Sequence, residues 1–428
     1  MHAIDRCSMN KLSVLHINCN DVTGGAARAV SRLHQSLIKQ GVDSKILVVR
    51  KESDDKQVYL YKPKGSRLLQ KSRHFLDRLP LQIYRNKSKA KFSTAWFPDS
   101  VPEAIEQFSP DVVHLHWIND GQLSISSLGK INRPIVWSML DMWPFTGGCH
   151  YTADCENYQQ GCGACPVLGS STRYDLSRLI SRRKQKVIKK VTLHAVAISQ
   201  WMKECAQKSV LFSGAKITVI HPGLDLAAYR PLNRKACREL LGLPKNKKLI
   251  LFGALGATSD PRKGYAALMS ALRLIDSSYE ENLEVVVLGA TTGALDDTIA
   301  IKINFMGRLT SGYGWHDDVS LAALYSAADV AIVPSLQEAF GQTASESLAC
   351  GTPVVGFRET GVEDIVDHKK NGYLAKNNDA FDLAKGICWV LDQNEENIRK
   401  AARQKAVQNF DDKLMAQKYI DLYRGLLS

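Results

Sequence analysis

Short aliphatic runs alternate with amphipathic stretches along most of the chain, and this alternation constrains the fold more than any other feature. The first run, LSVLHINCN at 12–20, leads through Gly24-Gly25 into AARAVSRLHQSLIKQG, whose apolar residues recur at helical spacing. Comparable runs follow at KILVV, DVVHLHW, PIVWSML and HAVAIS. Such runs are typical of parallel strands buried on both faces. With helices between them, they predict a doubly wound α/β domain.

The same alternation starts again in the second half. KLILFGA, LEVVVLG, INFMG, DVAIVPS and TPVVGF follow a proline- and glycine-containing stretch at 222–244. A chain of 428 residues is too long for one core, because single cores stop growing at about 250–300 residues. We therefore predict two Rossmann-like domains, at 11–220 (with a cysteine-rich insertion at 145–170) and 221–410. A last helix at 411–428 is predicted to pack back toward the first domain. The carboxyl ends of both sheets then meet at a cleft, where such folds bind ligands.

Composition excludes several classes of protein. No run approaches the ~20 apolar residues of a membrane-spanning helix, and the first ten residues lack the hydrophobic stretch of a secretory signal. Ten cysteines in so long a chain do not indicate a secreted disulfide framework. We therefore expect a cytoplasmic protein.

The formal net charge of +13 is concentrated in two segments of the first half. Residues 61–92 carry ten Lys or Arg against the single acid Asp77, and residues 173–208 carry ten more against Asp175 and Glu204. Such segments bind nucleic acid, anionic membranes or phosphorylated substrates, or they form a solvated face without a partner. No RNA-binding aromatic signature or zinc-finger spacing accompanies them, so we expect no nucleic-acid partner and favour an anionic membrane surface. The cations expected to contribute include Arg182, Arg183 and Lys184.

Two carboxylates flank a small-residue turn in PSLQEAFGQTASESLACG, which follows a predicted strand. Gly341, Thr343 and Ala344 are predicted to open a helix whose first-turn N–H groups point into the cleft. Such a helix start attracts phosphate by ~0.3–2 kcal/mol. Glu338 precedes the turn and Glu346 lies about one turn inside the helix, so both are predicted to reach a bound ligand. Carboxylates bind vicinal sugar hydroxyls because each oxygen accepts one O–H.

Several motifs together resemble retaining glycosyltransferases of family 4, which have the GT-B fold of two facing Rossmann-like domains. The stretch from Glu338 to Glu346 is similar to the family's E-x7-E region, and Gly24-Gly25 to its glycine loop near the donor phosphate. DVVHLHW resembles a family strand that ends in an active-site histidine, here His116. VIHPGLDLAAYRP resembles the interdomain stretch, and DPRKGYAAL offers a basic pair.

The resemblance implies a function and a set of roles. The function is transfer of a sugar from a UDP- or GDP-sugar to a saccharide, with retention of configuration and no cofactor for the chemistry. Arg262 and Lys263 would neutralise the departing diphosphate, Glu338 would bind the donor sugar, and Glu346 would bind the ribose of the nucleotide. His116 is the fourth residue assigned to catalysis. The other donor contacts would be Gly24, Gly25, Phe340, Gly341, Gln342 and Thr343.

The neighbourhood of His116 leaves two questions open. His114 and His116 share one face of their strand because side chains alternate along it. One of the two is predicted to be structural, and we favour His116, at the strand end, for the site. The next strand ends in Leu140-Asp141 where many family members have His-Asp, so Asp141 is the remaining candidate there.

A finer resemblance concerns the pathway. MWPFTGGCHYTADC...CGACP is similar to the colanic-acid and capsule branch of the family. It implies surface polysaccharide biosynthesis, a lipid-linked saccharide acceptor and a peripheral position at the inner face of the plasma membrane. The alternative is a non-catalytic, transferase-like subunit that binds a lipid-linked saccharide or a partner protein.

Four cysteines lie within 17 residues in the predicted insertion. Cys149, Cys155, Cys162 and Cys165 have the spacing C-x5-C-x6-C-x2-C. Four thiolates can surround one tetrahedral zinc ion, and the terminal C-x2-C pair is typical of zinc sites. We predict a structural zinc site, with His150 as a substitute ligand. Two disulfides or four free thiols are the alternatives.

Overall fold

The computed structural model describes residues 11–62, 67–254, 256–275, 279, 281–294, 298–307, 309 and 318–428, with the backbone alone at 67–71. Its first sheet has parallel strands in the order β3-β2-β1-β4-β5-β6-β7. The strands are β1 (Ser13–Ile17), β2 (Asp43–Val48), β3 (Val58–Leu60), β4 (Val112–Leu115), β5 (Ile135–Met139), β6 (Leu193–Ala197) and β7 (Ile217–Val219). Because β1 pairs with both β2 and β4, the strand order reverses there.

Helices cover both faces of this sheet. They are α1 (Gly25–Lys39), α2 (Arg67–Arg78), α3 (Val101–Phe108), α4 (Ile125–Leu128), α5 (Leu176–Ile188) and α6 (Gln200–Lys208). Every residue of β4 and β5 is buried, as expected for the strands of a doubly wound sheet.

The second sheet repeats the design, with parallel strands in the order β10-β9-β8-β11-β12-β13. The strands are β8 (Lys248–Gly253), β9 (Leu283–Leu288), β10 (Lys302–Gly307), β11 (Val330–Val333), β12 (Val354–Phe357) and β13 (Gly372–Ala375). The accompanying helices are α7 (Arg234–Leu240), α8 (Tyr265–Leu272), α9 (Asp318–Ala327), α10 (Gln342–Ala349), α11 (Ala380–Leu391) and α12 (Glu395–Asn409). The predicted fold of two facing Rossmann-like domains is thus confirmed.

The chain passes between the domains twice, and the two crossings are hydrogen-bonded together. The backbone N–H of Leu224 donates to the carbonyl of Phe410 at 2.8 Å, and the N–H of Asp412 donates to the carbonyl of Leu224 at 3.0 Å. After the second crossing, α13 (Asp412–Leu427) lies against α1 of the first domain.

Buried polar contacts fix the last helix to the first sheet. The hydroxyl of Tyr423 bonds to Nδ1 of His114 at 2.6 Å, and that of Tyr419 to Oγ of Ser138 at 2.7 Å. Both tyrosines also belong to an apolar cluster with residues of β1, α1 and β4. The C-terminal 17 residues therefore contribute to the core of the first domain.

Candidate active site

A cleft of about 1220 Å³ lies where the carboxyl ends of the two sheets face each other. This volume exceeds the ~300–1,000 Å³ of ordinary small-molecule pockets. The predicted site residues that line it are Gly24, Gly25, Arg262, Lys263, Glu338, Phe340, Gly341, Gln342 and Thr343. Two predicted residues, His116 and Glu346, are buried behind the wall of the cleft.

The floor on the second-domain side is the start of α10. Gly341 has a φ of +101°, a conformation that favours glycine, and it turns the chain from the loop after β11 into the helix. Gln342 and Thr343 form the first turn and line the cleft. First-turn N–H groups have no intrahelical acceptor, so this helix start attracts an anion.

A second glycine brings the basic pair to the same place. A Cβ on Gly264 would lie 1.8 Å from the carbonyl oxygen of Pro334, and its φ is +76°. Only glycine therefore permits the turn Pro261–Lys263 to pack against the loop that carries Glu338. As a result, Nζ of Lys263 donates to Oε2 of Glu338 at 2.7 Å.

Glu338 is ionised and keeps one oxygen for a ligand. Burial opposes its ionisation, but the charges of Lys263 and Arg262 outweigh burial and hold its pKa below the ordinary value. Ser335 also donates to Oε2, at 3.1 Å. Oε1 has no hydrogen-bond partner in the part of the chain that the structure describes. This oxygen can accept a hydroxyl group from the cleft.

Arg262 connects the basic pair with the first domain. Its guanidinium donates to the carbonyl of Gln337 at 2.8 Å and to Oδ2 of Asp260 at 3.1 Å. The same group lies 4.0 Å from the ring centroid of Tyr151, across the cleft. Burial alone would lower the pKa of Arg262, but Tyr151, Glu338 and Asp260 raise it. The guanidinium is thus a fixed positive charge in the lining of the cleft.

Glu346 is fully buried between the domains, and both its oxygens are occupied. Oε1 accepts hydrogen bonds from Arg28 at 2.8 Å and Arg32 at 2.9 Å, and Oε2 accepts one from Tyr325 at 2.8 Å. Burial opposes ionisation of Glu346, but the two arginines hold its pKa below the ordinary value. Because Arg28 and Arg32 belong to α1, this ion pair joins the two domains. A ligand hydroxyl reaches Glu346 only if an arginine releases Oε1.

Two neighbouring side chains extend this interdomain contact. Tyr229 accepts from Arg28 at 2.8 Å and donates to Oδ1 of Asp318 at 2.5 Å. Gln342 donates to the carbonyl of Gly25 at 2.7 Å. Sequence reasoning missed both arginines, since cations on the polar face of an amphipathic helix are usually solvated. The available signal was their i, i+4 spacing just after Gly24-Gly25, which places them on one face.

The structure does not bring His116 to the cleft surface. His116 is buried, and its Nε2 lies 2.9 Å from Nδ1 of His16. Burial lowers its pKa to about 3, so the imidazole is neutral. His114 shares the same face, as predicted, with its ring centroid 4.0 Å from that of His116. The catalytic role of His116 stays a prediction, and it would require movement toward the cleft.

His150 lines the cleft at this edge of the first sheet instead. Its Nδ1 bonds to Oδ2 of Asp141 at 2.6 Å and its Nε2 to Oγ of Ser93 at 2.8 Å. Asp141 also accepts from Nε1 of Trp117 at 2.9 Å. Burial opposes ionisation of Asp141, but His150 and the hydrogen bonds lower its pKa. Asp141 therefore orients Trp117 and His150 toward the cleft.

The four cysteines of the insertion are free thiols in this structure. The backbone N–H of Gly147 donates to Sγ of Cys162 at 3.1 Å, but burial outweighs this contact and raises the pKa of the Cys162 thiol to about 12. Among the described residues, the side chains whose potential ligand atoms all lie within 4.8 Å of one another are His16, His114 and His116. The four cysteines do not form such a group. Burial raises the pKa of the Cys149 thiol, and Cys162, Cys165 and Cys155 add to that shift, so the four side chains lie near one another. The zinc site stays a prediction.

The two facing Rossmann-like domains, with an anion-binding helix start and a basic pair at their interface, define a GT-B protein. Two family profiles identify it further. Glycosyltransferase Family 4 matches residues 23–228, and Glycosyl transferases group 1 matches residues 233–407. Together these matches take in both domains, and the chain belongs to the family 4 glycosyltransferases.

Curated relatives share more than a quarter of their aligned residues with the chain. D-inositol 3-phosphate glycosyltransferase 2 of Catenulispora acidiphila is 28% identical over 299 residues, covering 66% of this chain and 62% of the relative. D-inositol 3-phosphate glycosyltransferase of Mycolicibacterium smegmatis is 29% identical over 318 residues, covering 70% and 63%. The chain thus spans less than two thirds of these two relatives. Their names do not support the finer resemblance to the colanic-acid and capsule branch.

Solved structures share the fold at low identity. Sucrose-phosphate synthase of Thermosynechococcus elongatus has a TM-score of 0.69 at 18% identity, covering 97% of this chain and 99% of that one. Anabaena Alr3699/HepE in complex with UDP and glucose has a TM-score of 0.63 at 17% identity, covering 97% and 100%. These likenesses concern the architecture of the whole chain.

Proposed function

We propose that this protein is a retaining glycosyltransferase that moves a sugar from a nucleotide-diphosphate donor to a lipid-linked saccharide in surface polysaccharide biosynthesis. The observation that carries the proposal is the arrangement of Lys263, Arg262 and Glu338 at the start of α10. Two fixed cations and free first-turn N–H groups suit a diphosphate, and one free carboxylate oxygen beside them suits a sugar hydroxyl. The solved neighbour in complex with UDP and glucose has the same architecture.

The proposed chemistry depends on the leaving group. As the bond between the sugar and the diphosphate breaks, negative charge grows on the phosphate oxygens. Cations and N–H donors already fixed at that place lower the barrier, because they need not reorganise during the reaction. The acceptor hydroxyl attacks the same face of the sugar and passes its proton to a donor phosphate oxygen, so the configuration is retained. No cofactor is assigned to this step.

Glu346 requires a conformational step in this proposal. Its predicted partner is the ribose of the donor, yet Arg28 and Arg32 bind Oε1 in the structure. We infer that donor binding displaces at least one arginine, which separates the domains slightly before they close on the ligand.

The exposed surface of the first domain supports a membrane-associated acceptor. Asp77, the acid of the first basic segment, is buried and accepts from the backbone N–H of Trp96 at 2.6 Å. Arg183 of the second segment lies 3.8 Å from the ring centroid of Trp96. The two basic segments therefore meet at Trp96 in one surface, which we call the basic face. Its exposed or half-buried cations include Arg78, Arg85, Lys87, Arg182, Arg183 and Lys186.

Apolar side chains project from the same surface. Phe75, Leu79 and Ile83 follow one another at four-residue intervals and are 59%, 43% and 81% exposed. Apolar groups flanked by cations bind the interface of an anionic bilayer, where each Lys or Arg contributes ~1 kcal/mol. None of the described helices has the length and apolar character needed to span a bilayer.

The prediction for Lys184 was wrong in one respect. This side chain is buried, and its Nζ donates to the carbonyl oxygens of Trp143 and Thr146. Lys184 stabilises the insertion and is not part of the basic face.

A donor screen followed by a turnover assay tests the proposed function. UDP, GDP and their sugars are compared by thermal shift, since a ligand at 100 times its dissociation constant stabilises a protein by ~2.7 kcal/mol. The stabilising sugar nucleotide is then incubated with membrane extracts, and sugar transfer into lipid is measured. Absence of any nucleotide shift refutes the proposal. Binding without transfer favours the non-catalytic binding subunit, and transfer unaffected by Glu338→Gln contradicts the role proposed for Glu338.

A further inference from the structure

We propose that the acceptor carries a phosphate group bound by Lys89 and Lys91, with the adjoining sugar ring resting on Trp117. This inference rests on the proposed function, because it treats the cleft as a site of glycosyl transfer and names the class of acceptor. Lys89, Lys91 and Trp117 all line the cleft from the first domain. We call them the acceptor rim.

Trp117 is held in place as a fixed platform. Its indole Nε1 donates to Asp141 at 2.9 Å, and its backbone N–H donates to Oδ1 of Asn18 at 3.0 Å. Nζ of Lys91 lies 4.0 Å from the centroid of the indole ring. Lys91 lies over the indole and the His150 ring centroid is 5.5 Å from it, so the apolar face of a sugar can stack on this oriented ring once Lys91 turns to an adjoining anion.

The charges around the rim leave an excess of positive charge. Asp120 is the carboxylate nearest to Lys91, at 3.8 Å. The same carboxylate is shared with Arg50 at 3.9 Å and His74 at 3.6 Å. Lys89 is exposed and has no ion-pair partner in the described part of the chain. One carboxylate cannot neutralise Lys89, Lys91 and Arg50 together, so an anion bound here gains attraction without displacing an existing strong pair.

The donor does not need these lysines. Its diphosphate has its own cations, Arg262 and Lys263, which belong to the second domain and are anchored by Asp260 and Glu338. The two cationic groups thus lie on different domains. Each domain also contributes a carboxylate to the lining of the cleft, Asp141 from the first and Glu338 from the second. The cleft can hold two separate anions, one from each substrate.

The position of the rim connects it with the basic face. The chain runs from Ile83, 81% exposed, to Ser88, where it enters the lining of the cleft. A phosphate at the level of a lipid headgroup would meet Lys89 and Lys91 as it enters. A soluble sugar phosphate offers the same chemistry, so the test includes both sources.

Two pairs of probes test the proposal on the full-length protein saturated with UDP, or with GDP if the donor screen selects GDP, so that the donor phosphate site is occupied. In solution, glucose 1-phosphate is compared with methyl glucoside. In phosphatidylcholine vesicles, a polyprenyl diphosphate-linked glucose is compared with glucosyl diacylglycerol. We expect the phosphate-bearing member of at least one pair to bind about tenfold more tightly, as for a charge-assisted hydrogen bond. The preference should fall as salt rises.

Variants of the rim separate its parts. The double variant Lys89→Gln with Lys91→Gln should lose the preference for the phosphate-bearing probe while its affinity for UDP is unchanged. Lys51→Gln is the matched control, because Lys51 is exposed in the same domain, its Nζ contacts the carbonyl of Asp55, and it belongs to neither basic segment. Trp117→Leu should weaken both members of a pair equally.

The outcomes are distinct. A preference confined to vesicles assigns the phosphate to a lipid, and one confined to solution assigns it to a soluble acceptor. Equal binding of both members in both pairs, no binding of any probe, or a preference that survives in the double variant overturns the proposal. Failure of both UDP and GDP to bind overturns the proposed function instead, and the sugar probes can still be compared without a nucleotide.

Discussion

The ion pair of Glu346 with Arg28 and Arg32 is expected to stabilise the closed arrangement of the two domains. Glu346→Gln removes the charge and keeps the shape of the side chain. Glu346 is fully buried, and the side chains of Arg28 and Arg32 are only 17% and 11% exposed, so solvent screens the interaction weakly. Loss of one partner of a buried pair costs about 3–5 kcal/mol. Tyr229 and Asp318 still contact the arginines, so we expect the lower end, about 3 kcal/mol.

This cost should appear in the equilibrium between closed and open domains, because the pair joins one domain to the other. About 3 kcal/mol corresponds to a change of about 100-fold in that equilibrium. The arginines hold the pKa of Glu346 below its ordinary value of 4.5 despite burial. A depressed carboxyl pKa contributes stability that is complete above the ordinary value and is lost as the pH falls through the folded-state value. The difference between wild type and Glu346→Gln should therefore shrink below about pH 4.5.

Small-angle scattering and calorimetry measure this effect. At pH 7, Glu346→Gln should have a larger radius of gyration than the wild type, and unfolding of its two domains should separate into two transitions. Glu396→Gln is the matched control, since Glu396 is exposed in the same domain and has no ion-pair partner among the residues described. A double-mutant cycle with Arg28→Met isolates the pairwise coupling. If Glu346→Gln and the control give the same radius and the same transition at pH 7, the closure role is wrong.

Three further predictions concern separate parts of the molecule. Lys263→Ala should lower turnover by at least about tenfold without unfolding the protein, since it removes a cation at the leaving group; normal transfer by the purified variant would contradict the diphosphate assignment. Ile83→Asn should weaken binding to vesicles that contain anionic lipid, and unchanged, salt-insensitive binding would identify the basic face as merely solvated. Zinc analysis of protein purified without chelator should find about one equivalent that Cys162→Ser abolishes, whereas a metal-free, fully active protein shows that the thiols stay free.

Most of the fold was predictable because parallel strands that are buried on both faces have a simple, largely apolar sequence pattern. Strands such as β4 and β5 read as continuous apolar runs, and those runs were identified as strands. The strands β3, β7 and β13 were not predicted; they have three or four residues, as β4 does, but they lie at the edges of their sheets. Short edge segments become strands through pairing with a neighbour, as β3 does with β2, and not through a local pattern.

The site was predictable only where residues near in sequence act together. Lys263 precedes the glycine that its turn requires, and Glu338 precedes the helix start, so both positions had a local rationale. The partners of Glu346 lie more than 300 positions away, at Arg28 and Arg32. Their i, i+4 spacing after Gly24-Gly25 was the local signal, and solvated arginines on a helix commonly have the same spacing. The burial of Lys184 likewise depends on carbonyl groups of another segment.

The return of α13 to the first domain has a consequence for synthesis of the protein. Tyr419 and Tyr423 complete a core that begins with Val14, so the first domain cannot finish folding until the last residues leave the ribosome. The second domain, by contrast, is contiguous in sequence and can fold earlier, as an insert within an unfinished host. A fragment that ends at residue 220 should expose the apolar surface that α13 covers and aggregate. Joining 411–428 to that fragment by a short linker should make it soluble, because the missing helix is then supplied in the same chain.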